Sequence, residues 1–423
     1  MGLGQRNVVV IGAGSAGLAV SHALHERGVD HQILERGRIG ETWRSERWDS
    51  FTMVTPTWAT ALPGLPHDGH DPDGFLTRAE WLDYLDRYVT QIPPPVREGV
   101  TVRALQPGIR NRFRIVIEDG EIAARVAIIA TGLFRSPVIP LFASNLPASI
   151  RQLPSARYRN PPSLAPGAIL VVGTGQSGSQ IAEELRAAGR EVFLSVGRIG
   201  RTPRRYRGRD SMWWRQQPDF LVGARSRPAS YSHMTGKDGG RDLNLHQFAR
   251  DGIQLLGRIE GVTDGRLILA PDLHQRLAEA DAADLAFRRA VDRFVEWHGL
   301  DAAPDPLPNG EDLRDGLAQP ILATLDLRHA GITTVIWATG FRPDPSWVEF
   351  PVFDDAGYPL RTDGLTAVPG LSIAGMRWQL PGTTTLIGGL GPEAERIAAH
   401  VAEDLASVHS VASASATAVS SGA

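Results

Sequence analysis

Residues 7–35, NVVVIGAGSAGLAVSHALHERGVDHQILE, decide how this chain is read. The stretch opens with an apolar run, Val8-Val9-Val10-Ile11, and turns through Gly12-Ala13-Gly14-Ser15-Ala16-Gly17. A helical pattern carrying Leu18 and Leu24 runs to Gly28, and a second apolar stretch ends in an acid, Glu35, with Arg36 beside it. Strand, glycine turn, helix, strand and acid make up the βαβ unit that binds an adenine dinucleotide. Gly12 permits the tight turn, Gly14 lets backbone approach a pyrophosphate, and Gly17 lets the helix sit against the sheet. The helix start at Ser15 and Ala16 offers free N–H groups and a partial positive charge to phosphate. Glu35 lies where a carboxylate takes ribose hydroxyls. A purely structural glycine turn is the plainer alternative, but such a turn has no need of the strand, the helix and the acid together.

The same pattern returns after a proline-rich connector (Pro137, Pro140, Pro147, Pro154, Pro161, Pro162, Pro166). Ile169-Leu170-Val171-Val172 is a strand, Gly173-Thr174-Gly175-Gln176-Ser177-Gly178 a second glycine turn, and Ile181 and Leu185 mark the helix that stops at Gly189. The next strand, Val192-Phe193-Leu194, ends in Ser195-Val196-Gly197-Arg198 with no acid at the ribose position. A carboxylate would repel a 2′-phosphate, whereas Ser195 and Arg198 accept one. The second unit therefore reads as an NADPH site rather than an NADH site. Arg201, Arg204 and Arg205 could assist, or could be solvated surface. Two further apolar strands end in Ala130-Thr131-Gly132 and Ala338-Thr339-Gly340, where small residues let backbone pass close to a bound cofactor.

Composition narrows the chemistry. The chain has 423 residues, 42% hydrophobic and 22% charged, with a net charge of −3. That suits two or three soluble domains and gives no reason to expect nucleic acid or a membrane surface as partner. No apolar run approaches the ~20 residues of a membrane span, and the N-terminus reads as a strand rather than a signal peptide, so a cytoplasmic protein is expected. Cysteine is absent. Disulfides, redox dithiols and thiolate metal sites go with it. Lys237 is the sole lysine, so the basic residues are almost all arginine and arginine clusters carry little signal. His22, His25, His233 and His246 form no close ligand pair, and no metal is expected.

Between the two units, three tryptophans (Trp43, Trp48, Trp58) fall in one short stretch and read either as core or as an aromatic wall. Thr77-Arg78-Ala79-Glu80 is a capping box that opens a helix through Trp81, Leu85 and Val89. Strands are expected at 100–102, with Val102 among the cofactor contacts, and at 113–117 and 126–130. Residues 199–320 read as an insertion with a helix near 285–297, broken by the proline-rich 303–308, that covers a substrate site. A glycine- and threonine-rich turn at 383–391 leads into a helix from Pro392 to about Leu405. The Ala/Ser-rich tail from Ser407 is expected to be disordered.

These features together resemble the two-dinucleotide-binding flavoproteins, and within them the flavin-containing monooxygenase family, the class B flavin monooxygenases. The resemblance covers roughly residues 5–405. It rests on Gly12 to Gly17 with Glu35, on Glu41-Thr42-Trp43, on Gly173 to Gly178, and on Trp337-Ala338-Thr339-Gly340-Phe341-Arg342-Pro343. It implies an α/β fold of two Rossmann-like domains, the second inserted into the first: 1–165 and 321–406 for FAD, 166–320 for NADPH. It places Thr42 and Trp43 on FAD and Asp49, Met53, Val54 and Thr55 near the flavin. It implies that NADPH reduces FAD, that a C4a-(hydro)peroxyflavin forms with O₂, and that oxygen passes to a small organic substrate, at nitrogen or sulfur. The helix near Pro392 would then aim its positive end at the flavin. Baeyer–Villiger oxygenation of a ketone, a flavin oxidase or dehydrogenase, and a non-catalytic FAD-stabilised binding protein are the alternatives. Disulfide reductases share the layout but need a cysteine pair. The family's linker motif is degraded: Ala148, Ile150 and Pro154 stand at its Phe, Gly and His places, and Tyr158 alone survives. Val54 stands where many members carry Asn. A homodimer is an open possibility of the family.

Overall fold

The computed structural model describes residues 5–67, 69, 71–109, 112–134, 136–198, 200–220, 234–305, 313–362, 364–376 and 387–420. His233, residues 306–308 and the glycine-threonine turn as far as residue 386 lie outside the described residues.

The apolar run of the opening stretch becomes β1 (Gln5–Ile11), and Val8, Val9 and Val10 are wholly buried. A strand buried on both faces has parallel neighbours covered by helices. Its neighbours are β2 (His31–Leu34) and β6 (Gly120–Ile129), with β3 (Val96–Arg97) beyond β2. Two further strands, β4 (Val102–Pro107) and β5 (Phe113–Ile117), fold back antiparallel off β6. The helix α1 (Ser15–Glu26) joins β1 to β2, and α2 (Glu41–Ser45) follows. The expected capping box starts α3 (Arg78–Gln91): Thr77 N–H donates to Glu80 at 2.8 Å, and Glu80 N–H donates to the Thr77 hydroxyl at 3.3 Å.

A second, wholly parallel sheet repeats this plan. Its strands are β7 (Arg151–Pro154), β8 (Ala168–Val172), β9 (Val192–Ser195), β10 (Gln254–Leu256) and a late strand, β14 (Ile332–Trp337), in the order β10-β9-β8-β14-β7. The helix α4 (Gln176–Ala187) joins β8 to β9. Between β10 and β14 the chain makes an antiparallel meander, β11 (Ile259–Thr263), β12 (Arg266–Leu269) and β13 (Thr324–Asp326), and one long helix, α5 (Leu273–His298). After β14 the chain returns to the first sheet as β15 (Arg361–Thr362), β16 (Leu365–Thr366) and β17 (Leu371–Ile373), the last parallel to β6.

These sheets move the expected divisions. The second sheet takes strands from 151–154 and 332–337, outside the expected 166–320. Residues 199–320 are not a helical insertion alone, because β10 completes the second sheet and β11 to β13 form their own. The long helix ends at left-handed Gly299, before the prolines expected to break it. The tail also differs from expectation: α6 (Leu390–Ser420) continues through the segment read as disordered. Alanine is the strongest helix former, and that segment holds neither glycine nor proline before residue 420.

The two units share one apolar core, which includes Val10, Leu18, Tyr158, Val171, Ile181 and Ile397. α6 packs along α1. Its first turn is tied down by a buried ion pair: Arg361 donates to Glu393 and to the carbonyls of Ile373 and Met376, and Gly375 N–H donates to Glu393 at 2.7 Å. Both side chains are 3% exposed.

The tightest contact in each unit is one that only glycine permits. A Cβ on Gly17 would lie 1.9 Å from the Gly12 carbonyl oxygen, and one on Gly178 1.9 Å from that of Gly173. Gly17→Ala must push α1 off the sheet, so urea unfolding should show a loss of about 3 kcal/mol or more. An unchanged midpoint would contradict the packing described. Glu393→Ala leaves Arg361 charged and buried without its partner, with an expected loss of about 3–5 kcal/mol in the same measurement.

Candidate functional site

Parallel α/β sheets place ligands beyond the carboxyl ends of their strands. Here the ends of β1 and β8 open onto one cavity of about 790 Å³. It is lined from the first unit by Gly12, Gly14, Ser15 and Ala16, and from the second by Gly175, Gln176 and Ser177. Gly12 has φ +108° and Gly173 φ +99°, and a Cβ on either would lie 2.7 Å from the carbonyl oxygen of Ala130 or Ala338. The two Ala-Thr-Gly strand ends therefore act as the floors on which the glycine turns rest. Thr131, Gly132 and Gly340 are on the cavity wall. Thr339 is not, because its hydroxyl donates to the Val138 carbonyl. Gly17, Gly173 and Gly178 lie behind the wall and serve packing.

Glu35 is on the wall, held by two backbone donors: Ala13 N–H to one carboxylate oxygen and Gly37 N–H to the other, both at 2.8 Å. Arg36, Thr42, Trp43 and Val102 line the same cavity. Glu41, next to Thr42, is held down at about 2 by its hydrogen bond to Arg38 and by that residue's charge, so it is ionised at neutral pH. Met53, Val54 and Thr55 also line the cavity, together with Met212. Asp49 is not on the wall. It is exposed and bonded to Asn160 at 2.6 Å. Of the three tryptophans, Trp43 and Trp48 line the cavity, and Trp58 packs with Met212 and Met234. Ile387 and Leu390, at the start of α6, line it too, so that helix start does reach the cavity.

Register corrects the reading of the second ribose position. Ile11 pairs with Leu34, and Val172 pairs with Ser195. Gly12 N–H then donates to the Leu34 carbonyl, and Gly173 N–H to that of Ser195. Ser195 is thus the counterpart of Leu34, and Val196 is the counterpart of Glu35. The Ser195 hydroxyl is buried and donates to the Gly257 carbonyl at 3.1 Å, so it is not offered to a phosphate. Counting 18 residues from the third glycine of each turn would have found Val196. Arg201 and Arg204 are also spent internally. Arg201 meets Asp281 at 3.2 Å, and Arg204 meets Asp210 at 2.6 Å while donating to the Val54 carbonyl at 2.7 Å. Arg205 donates to the carbonyls of Gly239 and Gly240. Arg198 is exposed and lies off the wall.

Several wall residues carry no sequence motif: Arg47, Ser155, Ala156, Gln180, Met212 and Trp347. Gln180 follows Gln176 by one helical turn, the only signal that could have found it. Tyr158, the survivor of the linker motif, is fully buried off the wall. Burial, with Glu184 beside it, pushes its hydroxyl well above the ordinary value, so it stays protonated and donates to Glu184 at 3.2 Å.

Three side-chain atoms on this wall, Ser15 Oγ, Gln176 Oε1 and Gln180 Oε1, are buried without a protein partner. Buried polar atoms find partners in native proteins. With free helix N–H groups at both turns, the donor set fits two dinucleotides. Among the described residues no cluster of His, Cys, Asp or Glu could hold a metal ion, and no helix is long and apolar enough to cross a membrane.

The family model described as pyridine nucleotide-disulphide oxidoreductase matches residues 9–211. An uncharacterized CzcO-like oxidoreductase of Geobacillus kaustophilus (strain HTA426) is 31% identical over 392 residues, 92% of this chain and 96% of that one. The indole-3-pyruvate monooxygenase YUCCA1 of Oryza sativa subsp. japonica is 29% identical over 191 residues, 44% of this chain and 47% of its own. A double mutant of the flavin monooxygenase from Stenotrophomonas maltophilia shares the fold, with a TM-score of 0.63 over 95% of this chain and 99% of that one at 21% identity.

Gly14 separates packing from binding. A Cβ there would meet nothing within 4 Å, and its φ is −79°. Gly14→Ala should therefore cost at most about 1 kcal/mol in stability while lowering dinucleotide retention on gel filtration. Full retention by this variant would remove the phosphate role of the turn.

Proposed function

This chain belongs to the CzcO-like oxidoreductases of the flavin monooxygenase family, and on that premise we propose that it is an NADPH-dependent monooxygenase with resident FAD, inserting one atom of O₂ into a small organic molecule at nitrogen or sulfur. The observation that carries this reading is the single cavity walled by both glycine turns. Two dinucleotides seated at the two turns would share that space, as hydride transfer between them requires.

The first turn would hold FAD, with Gly12, Gly14, Ser15 and Ala16 at the pyrophosphate and Glu35 at the ribose. Thr42, Trp43, Val102, Thr131 and Gly132 complete that side. The second turn would hold NADPH through Gly175, Gln176 and Ser177. Val196 in the place of an acid leaves a 2′-phosphate unopposed, and exposed Arg198 is the nearest cation in sequence to receive it. The units are best divided by their sheets: residues 151–337 for NADPH, and the flanking segments for FAD.

Flavin supplies the redox and oxygen chemistry when bound, so the protein's work is to position and to exclude water. Met53, Val54 and Met212 give an apolar wall. Such a wall suits the apolar surroundings of an amine or sulfide, which supports oxygenation at nitrogen or sulfur. Arg204 fixes this wall through the Val54 carbonyl. The first turn of α6, anchored by Glu393, brings its N–H end to the same cavity, where a helix N-terminus favours negative charge.

Purified protein should be yellow, NADPH should bleach it anaerobically, and NADH should do so at least about tenfold more slowly. On readmission of air, with a panel of amines, sulfides and ketones, an amine or sulfide should give stoichiometric oxygenated product. Hydrogen peroxide as the sole product throughout would make the protein an oxidase, and a ketone-only response would make it a Baeyer–Villiger enzyme.

A further inference from the structure

Arginine is abundant in this chain, and most buried arginines have carboxylate partners. Arg201, Arg204, Arg288 and Arg361 all do. Arg47 is different. It is half-buried on the cavity wall, and no carboxylate among the described residues lies within ion-pair distance of it. Its guanidinium sits 5.1 Å from the Trp43 ring centre and 5.8 Å from that of Phe51. Among the described residues its guanidinium makes a single hydrogen bond, to the neighbouring Glu46 carbonyl at 2.9 Å.

The backbone beneath it is rigidly held. Arg159 donates to the carbonyls of Ser45 and Arg47, and Arg78 to those of Arg44 and Arg47. Asp49 N–H donates to the Arg159 carbonyl at 2.9 Å. Burial pushes the guanidinium down from its ordinary value, with only Glu46 opposing. It remains a cation at neutral pH, because an arginine starts so far above it. A half-buried cation with free donors attracts an anion, and a planar fork matches a carboxylate in two parallel hydrogen bonds. The rings beside it, Trp43 and Phe51, and Trp48 and Met53 on the same cavity wall, suit an apolar body.

We propose that Arg47 is the anion anchor of the substrate, and that the enzyme acts on small organic acids whose carboxylate meets Arg47 and whose apolar body lies against the aromatic wall. The inference rests on the monooxygenase reading of the same cavity. It makes Arg47 a specificity-determining residue that touches substrate without moving a proton. The dinucleotide phosphates are served by the two glycine turns and do not require it.

The test uses the FAD-loaded protein and calorimetric titration with acetate, benzoate and phenylacetate, each paired with its neutral amide, at pH 7. At least one of the acids should bind, and its amide should bind at least about 30-fold more weakly. Arg47→Gln should lose the acid to the same extent while keeping its FAD content and its NADP⁺ affinity, and Arg47→Lys should recover part of it. Equal binding of acid and amide by the unaltered protein, or no binding of any acid, overturns the proposal without reference to a variant. An Arg47→Gln protein that loses NADP⁺ or FAD but still binds the acid assigns the residue to a cofactor and overturns it as well. Flavin content and anaerobic bleaching by NADPH are read on the same sample, so a failure of the monooxygenase reading is seen separately from a failure of the anchor.

Discussion

The approach of Gly17 to the Gly12 carbonyl governs the geometry of this protein. A helix can sit that close to its own turn only if one residue has no side chain. The approach sets α1 against β1, turns its first N–H groups towards the ends of the strands, and brings the turn down onto the Ala130 carbonyl. The same three-part contact recurs at Gly178, Gly173 and Ala338. Two copies of one constraint, in two sheets that share a core, set two helix N-termini at one cavity.

What differs between the copies gives the protein its direction. The first unit keeps a carboxylate, Glu35, clamped by two backbone N–H groups beside the turn. The second has Val196 in that place, and there the hydroxyl of Thr174 accepts the N–H of Gly197 at 3.1 Å. One turn is therefore flanked by a carboxylate and the other by an apolar side chain. Between the seats, segment 45–55 is tied to the second unit through Arg159, Asn160 and Arg204. The wall of the cavity is thus built where the units meet, and its shape depends on both. The buried Arg361–Glu393 pair does similar work for α6.

Much of this was legible in the sequence because glycine is informative when packing forbids a Cβ. Both turns, both Ala-Thr-Gly strand ends and the capping box at Thr77 could be named from pattern, and Thr42, Trp43, Met53, Val54 and Thr55 were named through the family resemblance. Three kinds of feature could not. Register was missed by one residue at Ser195, since an apolar strand end looks the same whichever residue closes the ladder. The allegiance of β14 was missed because a parallel strand carries no mark of which sheet it joins. The wall residues Arg47, Gln180 and Met212 come from separate segments that only folding brings together, and Arg47 was hidden by an arginine-rich background. The continuation of α6 past Ser407 shows alanine's helix propensity prevailing where low complexity suggested disorder.

Both glycine turns open on one cavity, so two dinucleotides should bind there together. Equilibrium dialysis of the FAD-loaded protein against NADP⁺, with both nucleotides counted on the retained protein, tests it most directly. One FAD should be retained and one NADP⁺ bound per chain at saturation, with the flavin spectrum perturbed by its neighbour. Release of FAD in proportion to NADP⁺ bound, or saturation with only one nucleotide per chain, would contradict it.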